Sequence, residues 1–341
     1  MFSLNQIKQT LENNDRAFLE DLARQAASLT KQYFGRTISL YTPLYLSNYC
    51  SSHCTYCGFN SHNRIHRMKL TPDEMHHEMQ CVAKTGIKNI LLLTGESYKA
   101  TPLSYLTEAV EIAKKYFTGI SLEVHPMEVR EYQQLYLAGV DGITIYQETY
   151  DRNKYKEVHL SGEKSDYNFR VKTPERIAEA GIRQISMGIL LGLGPVAEDL
   201  LALFQHVRWM EKNYPGVEHS ISFPRLRKIK GKDFAACPVD DKTFIKILCL
   251  TRILFPRVGI NLSTRENAYL RDHALGLGVT RISAGSNTSV GGYDTQKLVP
   301  QDPQFDIEDS RSVKEIIHVL KQKNFDPVLT DWRPIENSVV L

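Results

Sequence analysis

Ser39-Leu-Tyr-Thr-Pro-Leu-Tyr-Leu46 is followed, after Ser47-Asn-Tyr49, by Cys50-Ser-Ser-His-Cys54-Thr-Tyr-Cys57. The first stretch is short, apolar and aromatic, as a β-strand is, and the second sets three thiols on one tight loop at that strand's carboxyl end. Seven more runs of the strand type follow, at residues 89–93, 120–124, 142–146, 184–190, 219–223, 259–262 and 281–283. Helix-like stretches separate them at 72–84, 103–116, 129–138, 174–180, 199–213, 241–255 and 268–275. Thr71-Pro72-Asp73-Glu74 combines a capping Thr, a Pro at the first helical position and a Glu three residues after the cap, while Gly86, Gly139 and Gly181 close their helices. Eight strands alternating with helices predict an α/β protein built as a (β/α)8 TIM-type barrel, with a half-open barrel of fewer strands as the competing architecture.

In such barrels chemistry sits at the carboxyl ends of the strands. The polar residues of this chain fall there repeatedly. Strand one runs into the cysteines, strand two into Thr94-Gly95-Glu96, strand three into Glu123-Val-His125-Pro126 and strand four into Gln147-Glu148-Thr149-Tyr150. The other four end near Gly192, Arg225, Ser263-Thr-Arg265-Glu266 and Ser283-Ala-Gly-Ser286. Charged groups at buried strand ends are costly unless paired or bound to a ligand, so the repetition predicts a polar pocket.

A length of 341 residues with 42% hydrophobic and 24% charged residues describes an ordinary globular chain with material for a large core. The expected division is a helical extension over 1–35, the barrel over 36–299 and a tail with one helix over 300–341. A net charge of +3 makes no case for nucleic acid, and the basic stretch from Arg225 to Lys230 reads as solvated surface. No apolar run approaches the ~20 residues of a membrane span, and the amino terminus shows no secretory signal, so a cytoplasmic protein is expected. Six cysteines, three of them scattered, are a poor disulfide framework for this length. Cys81, Cys237 and Cys249 read as ordinary buried thiols.

Cys50, Cys54 and Cys57 are close enough to ligate three corners of a cubic iron-sulfur cluster, with no fourth cysteine nearby. Three protein ligands and one open position suit a catalytic metal, which needs room for substrate or cofactor. The alternative is zinc, with His53 or a distant histidine as a fourth ligand. The Cys-x3-Cys-x2-Cys spacing with Tyr56 before the last cysteine resembles the signature of the radical S-adenosylmethionine (SAM) enzymes. That resemblance implies a [4Fe–4S] cluster on the three cysteines, with S-adenosyl-L-methionine bound at the unique iron. Thr94-Gly95-Glu96 resembles the family's turn for the cofactor's ammonium group, Glu123 and Glu148 are similarly placed for its ribose or ammonium, Arg170 for its carboxylate, and Tyr56 is also expected to bind the cofactor. For Glu123, Glu148 and Arg170 a structural ion pair is the competing reading.

The likeness extends over residues 36 to 335. Pro43-Leu-Tyr-Leu-Ser-Asn48, Tyr146-Gln-Glu-Thr-Tyr150, Ser222-Phe-Pro-Arg-Leu226, Leu262-Ser-Thr-Arg-Glu266, Ser283-Ala-Gly-Ser286 and Gly291-Gly-Tyr293 resemble the aromatic amino acid lyase branch, specifically the tyrosine lyases that make 2-iminoacetate for thiazole biosynthesis. The implied reaction breaks the Cα–Cβ bond of L-tyrosine, giving 2-iminoacetate (dehydroglycine) and 4-cresol. Arg265 is the expected fork for the substrate carboxylate, with Ser283 beside it and His219 near the phenol. The implied partners are a one-electron donor of the flavodoxin or ferredoxin type and thiazole synthase. Two related activities remain as alternatives, a hydrogenase-maturation tyrosine lyase and a tryptophan lyase. The first carries further cysteines for a second cluster, whereas here none follows Cys249. Asp331-Trp332 also resembles the thiazole enzyme's tail.

Overall fold

The computed structural model of the chain describes residues 3–226, 238–294 and 302–330. Cys237, Asp331-Trp332 and most of the basic stretch after Arg225 lie outside the described residues. Two amphipathic helices come first, α1 (Leu4–Glu12) and α2 (Arg16–Phe34). The alternation then runs β1 (Thr37–Ser47), α3 (Pro72–Ala83), β2 (Asn89–Thr94), α4 (Leu103–Ala113), β3 (Gly119–Glu123), α5 (Val129–Ala138) and β4 (Gly142–Glu148). Three short helices, α6 (Arg152–Val158), α7 (Tyr167–Val171) and α8 (Thr173–Glu179), lead to β5 (Gln184–Ile189). After them come α9 (Val196–Asn213), β6 (Glu218–Ser222), α10 (Asp241–Leu254), β7 (Gly259–Leu262), α11 (Ala268–Ala274) and β8 (Arg281–Ser283), then α12 (Val313–Gln322) and β9 (Asp326–Val328).

Every pairing is parallel, in the order β2 through β8 and then β1, and β1 returns to pair with β2. The barrel is therefore closed, and the half-open alternative is excluded. All eight expected strands are present within two residues of their expected ends. Side chains alternate as a barrel wall requires. On β2, Ile90 and Leu92 join the large core beneath the helices, while Leu91 and Leu93 face inward beside Tyr45 and Phe59. The Thr71–Glu74 capping box at the start of α3 is made in both directions. On α10, fully buried Arg252 donates to the carbonyls of Phe255, Pro256, Val258 and Gly278, tying the entries of β7 and β8 together.

Two features go beyond the expectation, and both shape the site. The tail holds a strand as well as its helix: β9 pairs with β1 over Thr37–Ser39, below the stretch of β1 that pairs with β2. Three residues including Pro327 give almost no strand signal, and such a proline is tolerated because β9 lies at an edge. The link from β4 to β5 is also longer than the single expected helix. Its first part lies along the cysteine loop, where Thr55 N donates to Val158 O at 2.9 Å, His53 N to Ser161 O at 2.9 Å and Leu160 N to His53 O at 2.9 Å.

Candidate active site at the barrel mouth

The loop after β1 has no regular structure of its own, so side chains must hold it. Arg67 donates to the carbonyls of Asn48 (2.6 Å), Phe59 (2.8 Å), Asn60 (2.6 Å) and Asn63 (3.3 Å), which closes the loop around one guanidinium. The Asn60 amide donates to Cys54 O at 2.6 Å. From the other side, Ser51 N donates to Glu96 O at 2.8 Å. This approach requires Gly95, because a Cβ there would lie 2.4 Å from Tyr49 O and 3.2 Å from Cys50 Cβ.

One pocket at the carboxyl ends of the strands is lined by Cys50, Cys54, Tyr56, Cys57, Gly95, Glu96, Glu123, Glu148, Arg170 and Arg265, all selected from sequence. Its walls also include Phe59, Tyr146, Leu190, Leu226, Gln304, Phe305 and Lys164. Lys164 is the central residue that the sequence did not disclose. Its Nζ sits 2.6 Å from Glu148 and 3.5 Å from Glu96, and Arg170 Nη1 donates to Glu96 at 2.8 Å while its Nε donates to Tyr146 O at 2.7 Å. Burial tends to raise the Glu96 carboxyl, but Arg170 and Lys164 outweigh it and hold the group below its ordinary value. Burial and Arg170 oppose the Lys164 charge, and Glu148 and Glu96 reverse that, leaving the ammonium firmly protonated.

Glu148 reaches this network from a left-handed backbone, φ +69°, at a point where β4 slips register against β5 between Tyr146 and Glu148. Such irregularities next to a site re-aim a side chain. Tyr56 donates its hydroxyl to His159 Nε2 at 2.7 Å, since His159 Nδ1 must donate to Tyr155 O at 2.9 Å. Burial, then Lys164 and Arg170, lower His159 to about 2, so its ring is neutral. Glu123 makes no hydrogen bond or ion pair among the described residues. Burial first, then Glu148, push it up to about 7.

Two selected residues lie elsewhere. His219 is not in the pocket: its neighbour Ser220 faces the barrel lumen, so strand alternation turns His219 outward, toward His206 on α9 and the backbone of Tyr214. Ser283 is buried below the pocket, where its hydroxyl accepts from Thr264 N at 3.1 Å and meets the Tyr41 hydroxyl. It steadies the strand end that carries Arg265. The tail contributes two residues that sequence reasoning missed, Gln304 near the cysteines and Phe305, whose ring centroid lies 3.4 Å from the Arg265 guanidinium carbon.

The chemistry of the donors fits a cluster with S-adenosylmethionine. Burial pushes the Cys50 thiol up to about 11 and Cys54 well above its ordinary value, so ionised sulfurs here call for a cationic partner. Among the described residues no three His, Cys, Asp or Glu side chains converge as they would around a single ion. His53 stacks on His62, with ring centroids 3.8 Å apart, and is not among the pocket's walls. Glu96 Oε2 is buried without a hydrogen-bond partner among the described residues, a ready acceptor for an ammonium group.

The sequence profile of the Radical SAM superfamily matches residues 44–207, and that of the Biotin and Thiamin Synthesis associated domain matches residues 222–326. The chain is 37% identical to the 2-iminoacetate synthase of Salmonella typhimurium (strain LT2), over 92% of this chain and 83% of that protein. Identity to the 2-iminoacetate synthase of Escherichia coli (strain K12) is 36%, with the same coverage. Among solved structures, the FeFe-hydrogenase maturase HydG from Carboxydothermus hydrogenoformans superposes with a TM-score of 0.89 at 34% identity, over 96% of this chain and 76% of that one.

Arg67→Met is expected to leave the barrel folded by circular dichroism yet retain only a small part of the iron that the parent takes up on anaerobic reconstitution; equal iron in both proteins would refute the loop-closing role. Glu123 gives a pH test. Its raised value means folding favours the protonated acid, so its contribution to stability is complete below the ordinary value of 4.5 and is lost as pH rises through about 7. In denaturant titrations between about pH 5 and pH 8, the parent should lose stability relative to Glu123→Gln as pH rises, whereas parallel curves would contradict the assignment.

Proposed function

The chain belongs to the 2-iminoacetate synthase family within the radical SAM superfamily, and from that premise we propose that it cleaves the Cα–Cβ bond of L-tyrosine to 2-iminoacetate and 4-cresol for thiazole biosynthesis. Its cofactors are a [4Fe–4S] cluster and S-adenosyl-L-methionine. When bound at Cys50, Cys54 and Cys57 and beside Glu96, they would supply one-electron, radical chemistry for opening the Cα–Cβ bond. The remaining contributions come from the chain's own side chains.

Cys50, Cys54 and Cys57 are the cluster ligands in this reading, with the loop around them closed by Arg67. Glu96 offers its free oxygen to the cofactor's ammonium while Arg170 and Lys164 hold the other. Gly95 lets the backbone come close, and Tyr56 forms a wall whose hydroxyl is tied back to His159. Glu148 and Glu123 are assigned to the cofactor's ribose or ammonium side. Arg265, stacked on Phe305, presents a planar fork to the substrate carboxylate. Phe59, Leu190, Leu226 and Phe305 keep water from the reacting centre. The observation that carries the reading is the meeting of three thiols, Glu96 and Arg265 in one pocket.

Residues 1–35 act in this scheme as a helical extension, 36–299 as the catalytic barrel and 300–341 as a tail whose Gln304 and Phe305 complete the pocket wall. The reduction needs a one-electron donor, assigned here to the flavodoxin or ferredoxin type. An imine hydrolyses readily, so a consuming enzyme close at hand is required, and thiazole synthase is the assigned recipient. Among the described residues no helix is long and apolar enough to cross a membrane. Cys81 and Cys249 are unpaired thiols, which suits a reducing cytoplasm.

Anaerobic reconstitution with iron, sulfide, reductant and S-adenosylmethionine should give 4-cresol from tyrosine. Cofactor cleavage without cresol, or an indolic product from tryptophan instead, would reject this assignment in favour of a related lyase. Arg265→Lys should lower kcat/KM for tyrosine by roughly ten- to a hundredfold, the loss of about 1.5–3 kcal/mol when a charge-assisted fork is broken.

A further inference from the structure

Cys57 is reached by a side chain that arrives from the far end of the sequence. Gln304 Nε2 lies 3.8 Å from Cys57 Sγ, within reach of a hydrogen bond to sulfur. The other end of the same amide is fixed, because Tyr45 donates its hydroxyl to Gln304 Oε1 at 2.8 Å. A flipped amide could still donate to the Tyr45 oxygen, but it would turn its oxygen lone pairs toward the sulfur, which a thiolate repels. The sulfur therefore selects the orientation in which the NH2 faces the cysteine, and Tyr45 holds the other end of the amide in place.

The backbone on both sides of this contact is held independently. Gln304 N donates to Thr288 O at 3.0 Å, and Thr288 Oγ1 donates to Phe305 O at 2.7 Å. Gly58, next in sequence to Cys57, admits the tail: a Cβ there would stand 2.4 Å from Gln304 O and 3.1 Å from Pro303 O. Farther along, Glu308 N donates to Thr264 O at 3.0 Å, and Asp309 accepts from Arg271 and Arg311. This placement is thus a designed feature of the tail's path, with an amide aimed at a thiol that the sequence motif alone would leave to the cysteine loop.

We propose that Gln304, held in place by Tyr45, is a positioning residue that donates an N–H···S hydrogen bond to Cys57 and raises the reduction potential of the cluster bound there. The proposal rests on the cluster assignment made above. Hydrogen bonds to cluster sulfurs stabilise the more negative, reduced state, and the potential rises accordingly. The consequence for turnover is easier delivery of the electron that starts each cycle.

The test is a redox titration of the full-length, anaerobically reconstituted enzyme followed by electron paramagnetic resonance, on the parent, Gln304→Met, Tyr45→Phe and the double variant. Methionine keeps the volume of glutamine and removes the donor. With iron and sulfide content equal to the parent's, Gln304→Met should show a more negative midpoint. Tyr45→Phe should shift it in the same direction by less, and should add nothing in the Gln304→Met background. An unchanged midpoint in fully loaded Gln304→Met overturns the proposal, as does a Tyr45→Phe shift that persists in the double variant. Should Gln304→Met fail to hold its cluster, Tyr45→Phe decides alone: a negative shift supports the bond and an unchanged midpoint refutes it. A parent that shows no cluster signal brings down the underlying assignment, an outcome distinct from a loaded parent whose potential ignores Gln304.

Discussion

Four charges withdrawn from solvent, buried Arg170 and Glu148 with partly buried Glu96 and Lys164, hold the mouth of the barrel together. Groups of this kind are expensive to remove from water and are tolerated only where each finds a partner. Here the partners come from different parts of the chain: Glu96 from the end of β2, Glu148 from the end of β4, and Lys164 and Arg170 from the long link to β5. Pairing them ties the connection after β2 to the end of β4 and to the long link that follows it. The same link lies along the cysteine loop, with Lys164 N donating to Ser52 Oγ at 2.9 Å, so the electrostatic network also sets the position of the thiols.

This arrangement explains why the site tolerates irregular backbone. The slips in register on β1 and β4 both fall at the carboxyl end of the strand, beside the pocket. A left-handed glutamate costs conformational energy that the 2.6 Å contact with Lys164 offsets. Below this level the barrel is regular, with small polar side chains inside it: Asn261 donates to Ser186 at 2.9 Å and to Ser220 at 3.2 Å. Regular strands support a strained rim, and the rim carries the polar groups.

Legibility in sequence followed the range of the interactions concerned. The cysteine loop, the Gly95–Glu96 turn and the eight strands depend on neighbours in the chain, and local pattern was enough to find them. Lys164 was hidden because it sits in a single short turn, Glu163–Ser165, between α6 and α7, which has no periodic pattern to mark it. Arg67 was hidden because its work is to bind carbonyls, which any sequence supplies. Gln304, Phe305 and β9 reach the barrel from the tail, and no local signal records such a return. His219 was legible in principle: counting faces along β6 from the inward-facing Ser220 would have placed it outside. Ser283 was found at the right strand end but one layer too deep.

The account stands on Cys50, Cys54 and Cys57 as the proposed cluster ligands, beside a glutamate with an oxygen that makes no hydrogen bond among the described residues. Pulsed electron paramagnetic resonance on the reduced, oxygen-free enzyme, with S-adenosylmethionine isotopically labelled in its amino nitrogen, addresses this directly. The account predicts a change in the cluster signal on addition of the cofactor and a coupling from the labelled nitrogen. A signal that stays the same, with no coupling, would contradict it.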